Sequence, residues 1–72
     1  MKPEIGQTYE RHNLMNGTWH LESRKVLDVT DNSVFYERMY PSPDGTYVES
    51  EPERIQVTLT NWQTWVKLAR IK

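Results

Sequence analysis

Two histidines, His12 and His20, flank an Asn16-Gly17 dipeptide. Both residues of that dipeptide tolerate positive φ, so it is a hairpin signal, and it sets the histidines across a strand pair. With Glu10 or Glu22 beside them, two imidazoles and a carboxylate would match a zinc donor set. Spacing across a loop is not a ligand motif, and two histidines on a wet strand face need no metal. Glu49, Glu51 and Glu53 alternate, so an extended chain aims all three carboxylates one way. Like charges at that spacing could raise a carboxylate pKa or attract a cation. Pro52 interrupts the run, and a solvated edge that discourages sheet association needs the same residues. Catalysis would also need a pocket and a partner group. Gly6, Gly17 and Gly45 stand apart, so no phosphate-binding loop is present. No metal, cofactor or catalytic residue is expected, and the chain is not expected to be an enzyme.

A second set of residues suits binding. Tyr36, Arg38, Tyr40 and Tyr47 interleave aromatic and cationic groups along one hairpin, and Met39 lies beside them. Small barrels stack single-stranded bases on such faces. Arg11, Arg24, Lys25, Lys67, Arg70 and Lys72 would add a basic rim. The same residue types also anchor protein partners. Leu14-Met15 in the first loop and Met39-Tyr40 beside a proline hairpin are candidate exposed apolar groups. The alternative for Leu14 and Met15 is a fold over one end of a barrel.

These groups need elements to hold them. Gln7 to Arg11 is expected as a short first strand after an extended lead-in over residues 1–6. Thr18 to Val29 is strand-like: Trp19, Leu21, Leu27 and Val29 share one parity, while His20, Glu22, Arg24 and Asp28 share the other. Ser23-Arg24-Lys25 is polar on both faces, which suggests a bulge there. After a turn at Asp31-Asn32, Ser33 to Tyr40 is a strand with large groups on both faces, so its buried side stays open. Pro41 to Gly45 is a turn, and Thr46 to Ser50 would pair back. Arg54 to Leu59 is the cleanest amphipathic strand. Then the period changes. Trp62, Trp65, Val66 and Ala69 follow helical spacing, Thr60 to Gln63 matches a capping box, and one helix over 61–70 is predicted.

The composition supports a strand-rich reading. There is one alanine against six valines, seven threonines, three isoleucines and eight aromatics. Seventy-two residues make one small domain, 1–72. A net charge of -1 argues against a strong electrostatic nucleic-acid binder. The absence of cysteine excludes disulfides and favours a cytoplasmic setting. The N-terminus has no apolar h-region, and no long apolar run suggests a membrane span.

A mostly β domain follows: a small curled antiparallel sheet or partly open barrel with one short C-terminal helix. The expected core is Tyr9, Trp19, Leu21, Leu27, Val29, Val34, Val48, Ile55, Val57, Leu59, Trp62 and Trp65. Gly6 and Tyr9, Val26 and Asp28, Val34, Tyr36 and Glu37, then Leu59, Trp62 and Trp65 form a pattern along most of the chain. It resembles short uncharacterised phage and prophage proteins with an SH3-like β-barrel. The resemblance implies a fold and a mobile-element origin, and it assigns no activity and no site residue. The reading that results is a non-enzymatic interaction or regulatory module that binds a host protein, through Tyr36, Arg38, Met39, Tyr40 and Tyr47. A small nucleic-acid-binding barrel is the alternative, and a homodimer through unpaired strand edges is possible.

Overall fold

The computed structural model describes residues 3–41 and 51–72. Asn16 (φ 51°) and Gly17 (φ 78°) both take left-handed φ, which makes the two-residue turn whose twist matches the flanking strands. That turn fixes the register of β1 (Thr8–Met15) against β2 (Thr18–Val29), with Met15 opposite Thr18 and Tyr9 opposite Arg24. The first strand is longer than the predicted Gln7–Arg11, because pairing with β2 carries it to the turn.

β3 (Ser33–Met39) and β4 (Glu53–Thr58) continue the meander. β5 (Arg70–Ile71) returns to pair with Tyr9 and Glu10 of β1. The sheet order is β4-β3-β2-β1-β5, antiparallel throughout. β4 and β5 lie at opposite edges, so the curled sheet is not closed into a barrel among the described residues. The predicted turn over 42–45, the strand over 46–50 and the core residue Val48 lie outside the described residues.

β2 is the longest strand, and its two halves show opposite parities to the core. Val26 pairs with Tyr36 and Asp28 with Phe35, so Leu27 is an extra residue in the ladder. A one-residue bulge moves every following side chain to the other face. Before it, Glu22, Arg24 and Val26 face the core; after it, Val29 does. The predicted bulge at Ser23–Lys25 is therefore displaced to Leu27. Trp19 is corrected from the core to the surface, at 66% exposed. Leu21 and Leu27 are half-buried and outside the central cluster.

The core is Tyr9, Val26, Val34, Tyr36, Trp62 and Trp65, with Val29, Ile55, Val57, Leu59 and Ala69 packed around it. On β3 the buried side is thus the one bearing Val34 and Tyr36. Trp62 is the hub: its ring centroid lies 5.5 Å from Tyr9 edge-on, and 5.6 Å from both Tyr36 and Trp65. Aromatic pairs at such distances add about 0.5–1.5 kcal/mol beyond area burial.

Trp62 and Trp65 sit on helix α1 (Leu59–Val66), one turn apart on its buried side. The helix starts two residues before the prediction and ends four before it. Its N-cap is Thr58, the last residue of β4, whose hydroxyl accepts from the Asn61 N–H at 3.2 Å. Thr60 instead accepts at its carbonyl from the Thr64 hydroxyl. The Leu59 N–H donates to the Asn32 carbonyl at 2.8 Å, so the turn after β2 anchors the helix start. At the far end the Ala69 N–H donates to the Val66 carbonyl, a tight turn that frees Arg70 and Ile71 to pair with β1. Strand pairing outcompetes two more residues of helix.

Candidate functional site

The inward face of β1 and β2 carries charge next to the two indoles. Glu22 is 3% exposed and spends its carboxylate on three donors. Arg24 Nε donates at 2.5 Å, Trp65 Nε1 at 3.2 Å, and Asn13 Nδ2 completes the set. The Arg24 guanidinium carbon lies 3.9 Å from the Trp65 ring centroid and 4.5 Å from that of Tyr36. Arg11 Nη1 donates to the Trp65 carbonyl at 3.0 Å, so a cation from β1 meets the carbonyl end of α1. A buried carboxylate needs such partners. The cluster locks the helix to the sheet, and its polar atoms are committed to one another.

The predicted binding residues take separate positions. Tyr36 is 3% exposed and part of the core; burial raises its phenol pKa, with Arg24 opposing. Its ring face is already covered and cannot stack on a base. Arg38 pairs with Glu53 at 3.0 Å and lies over the Tyr40 ring at 5.5 Å. Burial opposes its charge, but Tyr40 and Glu53 outweigh that and raise its pKa. Met39 is half-buried opposite Ser23. Tyr40 is half-buried as well, and Tyr47 lies outside the described residues. The structure thus joins Arg38 and Tyr40 while Tyr36 turns inward.

The histidines are separated too. His12 pairs with Leu21 and His20 with Asn13, so adjacent register positions put them on opposite faces. Among the described residues no three ligand-type side chains converge on a metal-sized site. An open groove of about 450 Å³ runs over the bulge, lined by Leu27, Asp28, Phe35, Arg54, Ile55 and Gln56. Its carboxylate, Asp28, accepts from the Val29 N–H at 2.9 Å. Beside it Lys25, Glu37 and Arg54 alternate in sign across three strands, an ordinary solvated ladder.

The end of the β1–β2 hairpin differs from that ladder. Leu14 and Trp19 face each other directly and are 59% and 66% exposed; Met15 beside them is 40% exposed. Because a two-residue turn hydrogen-bonds its flanking pair, Leu14–Trp19 is a non-hydrogen-bonded pair, the kind with side chains closest. The ten residues from His12 to Leu21 contain no Lys, Arg, Asp or Glu, in a chain that is 26% charged. β3 begins its pairing with β2 at Ser23, so this end projects past the sheet on β1 contacts alone. Leu14 and Met15 appear among the candidate exposed groups in the sequence; Trp19 does not. Register would have found it. With Asn16-Gly17 as the turn, Tyr9 pairs with Arg24, and placing Tyr9 in the core forces Trp19 outward.

Among the described residues no helix is long and apolar enough to cross a membrane. Comparison with protein-family models, with curated proteins and with solved structures found no match to this chain.

Proposed function

We propose that this chain is a non-enzymatic protein-interaction module whose contact surface is the projecting end of the β1–β2 hairpin. One observation carries the reading: an indole two-thirds exposed, held against Leu14 on an element without charged residues. Large exposed apolar groups that contribute nothing to the core mark binding surfaces. Tryptophan in particular anchors protein interfaces by filling an apolar pocket on the partner. The partner surface would be apolar at its centre and indifferent to salt. The resemblance to phage and prophage proteins adds that the partner would be a host protein and the outcome regulatory.

The nucleic-acid alternative has less support. A single-strand binder needs open aromatic faces beside cations. Here Tyr36 is covered, Arg38 is engaged by Glu53, and the exposed indole lies on the uncharged hairpin end.

The test compares wild type with Trp19→Ser as baits in host lysate, with and without nuclease. A specific protein that resists nuclease and moderate salt, and is lost with Trp19→Ser, is the expected result. Capture unaffected by Trp19→Ser, or oligonucleotide binding at low salt that disappears as salt rises, overturns the reading.

A further inference from the structure

We infer that two copies of this chain pair through the open edges of their β1 strands, antiparallel about Leu14, as a weak reversible dimer. The inference goes beyond the protein-binding reading and does not require it.

The backbone supplies the first reason. In β1 the odd-numbered residues hydrogen-bond to β2, as the Met15–Thr18 flanking pair dictates. The even-numbered residues aim their N–H and C=O at the opposite edge, where the Thr8 carbonyl accepts from the Lys72 N–H. β5 covers that edge only at Tyr9 and Glu10. His12 and Leu14 point their backbone groups the same way, and no strand pairs with them there among the described residues.

The second reason is the contrast between the two edges. Natural sheets guard exposed edges with charge and proline. β4, at one edge, follows Pro52 and opens on Glu53 and Arg54. The β1 edge from His12 to Met15 has neither proline nor Lys, Arg, Asp or Glu. One unguarded edge per chain gives a two-fold pair that closes on itself, where two would give a fibre.

Sterics and chemistry fix the register. The end of α1 lies against Arg11, whose guanidinium meets the Trp65 carbonyl, so an added strand has room only from His12 outward. Placing Leu14 on the two-fold axis satisfies this. It also lines up Trp19, Leu14, Leu14 of the second copy and its Trp19 as one apolar row, with no like charges opposed. Few residues take part, so the interface belongs to the small transient class.

The experiment is sedimentation equilibrium of the full chain from roughly 10 µM to 1 mM, the range of weak association. The average mass should rise from one chain toward two. Leu14→Lys, a surface change that leaves the circular dichroism spectrum intact, should stay at one chain throughout. Trp19→Ser should weaken the dimer severalfold without abolishing it. In parallel, the Leu14 amide should gain hydrogen-exchange protection with rising concentration. A single-chain mass at 1 mM, or a dimer that Leu14→Lys leaves unchanged, overturns the inference. Leu14 amide protection that appears only on adding a captured host protein also overturns it, and gives the edge to that partner's strand. Loss of the dimer with Trp19-dependent capture intact leaves the proposed function standing; the reverse result removes only that function.

Discussion

Arg24 lies over the Trp65 ring at 3.9 Å while its Nε donates to Glu22 at 2.5 Å, and Glu22 in turn accepts from the Trp65 indole N–H. The three groups close a loop in which each satisfies the other two. A buried charge with its partner removed is costly, by about 3–5 kcal/mol. Glu22→Ala, which strands Arg24, Asn13 and the indole N–H together, should therefore destabilise by about 3–5 kcal/mol in urea unfolding. Glu22→Met with Arg24→Leu should recover part of that loss, because no uncompensated charge is left. If the double variant is no better than Glu22→Ala, the pair is not coupled as the geometry states.

The three tryptophans should separate cleanly. Trp62→Ala should cost about 3–5 kcal/mol, since it empties the centre of the core. Trp19→Ser should change stability by less than about 0.5 kcal/mol. Fluorescence gives a second readout. The red-edge, iodide-quenchable emission should vanish in Trp19→Phe and persist in Trp65→Phe.

The helix cap is equally specific. Thr58→Ala should cost about 1 kcal/mol, because the Asn61 N–H loses its acceptor. Thr60→Ala, one turn position later and already helical, should cost less. Equal losses in thermal melts would point to the capping box that the sequence suggests at Thr60 to Gln63.

Tyr36 ties stability to alkaline pH. Burial raises its phenol pKa above the unfolded value. The native state then holds the proton more tightly than the unfolded chain. Its contribution is fully present below about pH 10 and is lost as pH climbs from there through the folded pKa. Tyr36→Phe should flatten the fall in melting temperature on that limb. An unchanged slope would mean that the phenol titrates alike in both states.

Much of this architecture is written locally. Asn16-Gly17 specifies its turn, Thr18 to Val29 its strand, and the Trp62–Trp65 spacing a helix face, each through short-range sterics or periodicity. What failed was long-range. Parity along β2 looked continuous because Leu27 and Val29 match Trp19 and Leu21, and a bulge leaves no mark in composition. The helix stopped early because Arg70 and Ile71 found β1, a partner some sixty residues away that local propensity cannot register. Tyr36 and Arg38 alternate with Phe35 and Met39, so only the indoles on α1 decide which side is covered. Candidate contact residues chosen by type alone divide accordingly between core and surface.

The hairpin projects beyond β3, and its outer residues touch little besides each other. Substitutions at Leu14, Met15 and Trp19 therefore leave the folding of the rest nearly untouched. A lineage could exchange one partner for another at those positions without an intervening unstable form, since selection on recognition and selection on folding act there on different residues. Variation among related chains should concentrate between His12 and Leu21, with Tyr9, Glu22, Arg24 and the two helical tryptophans held constant behind it.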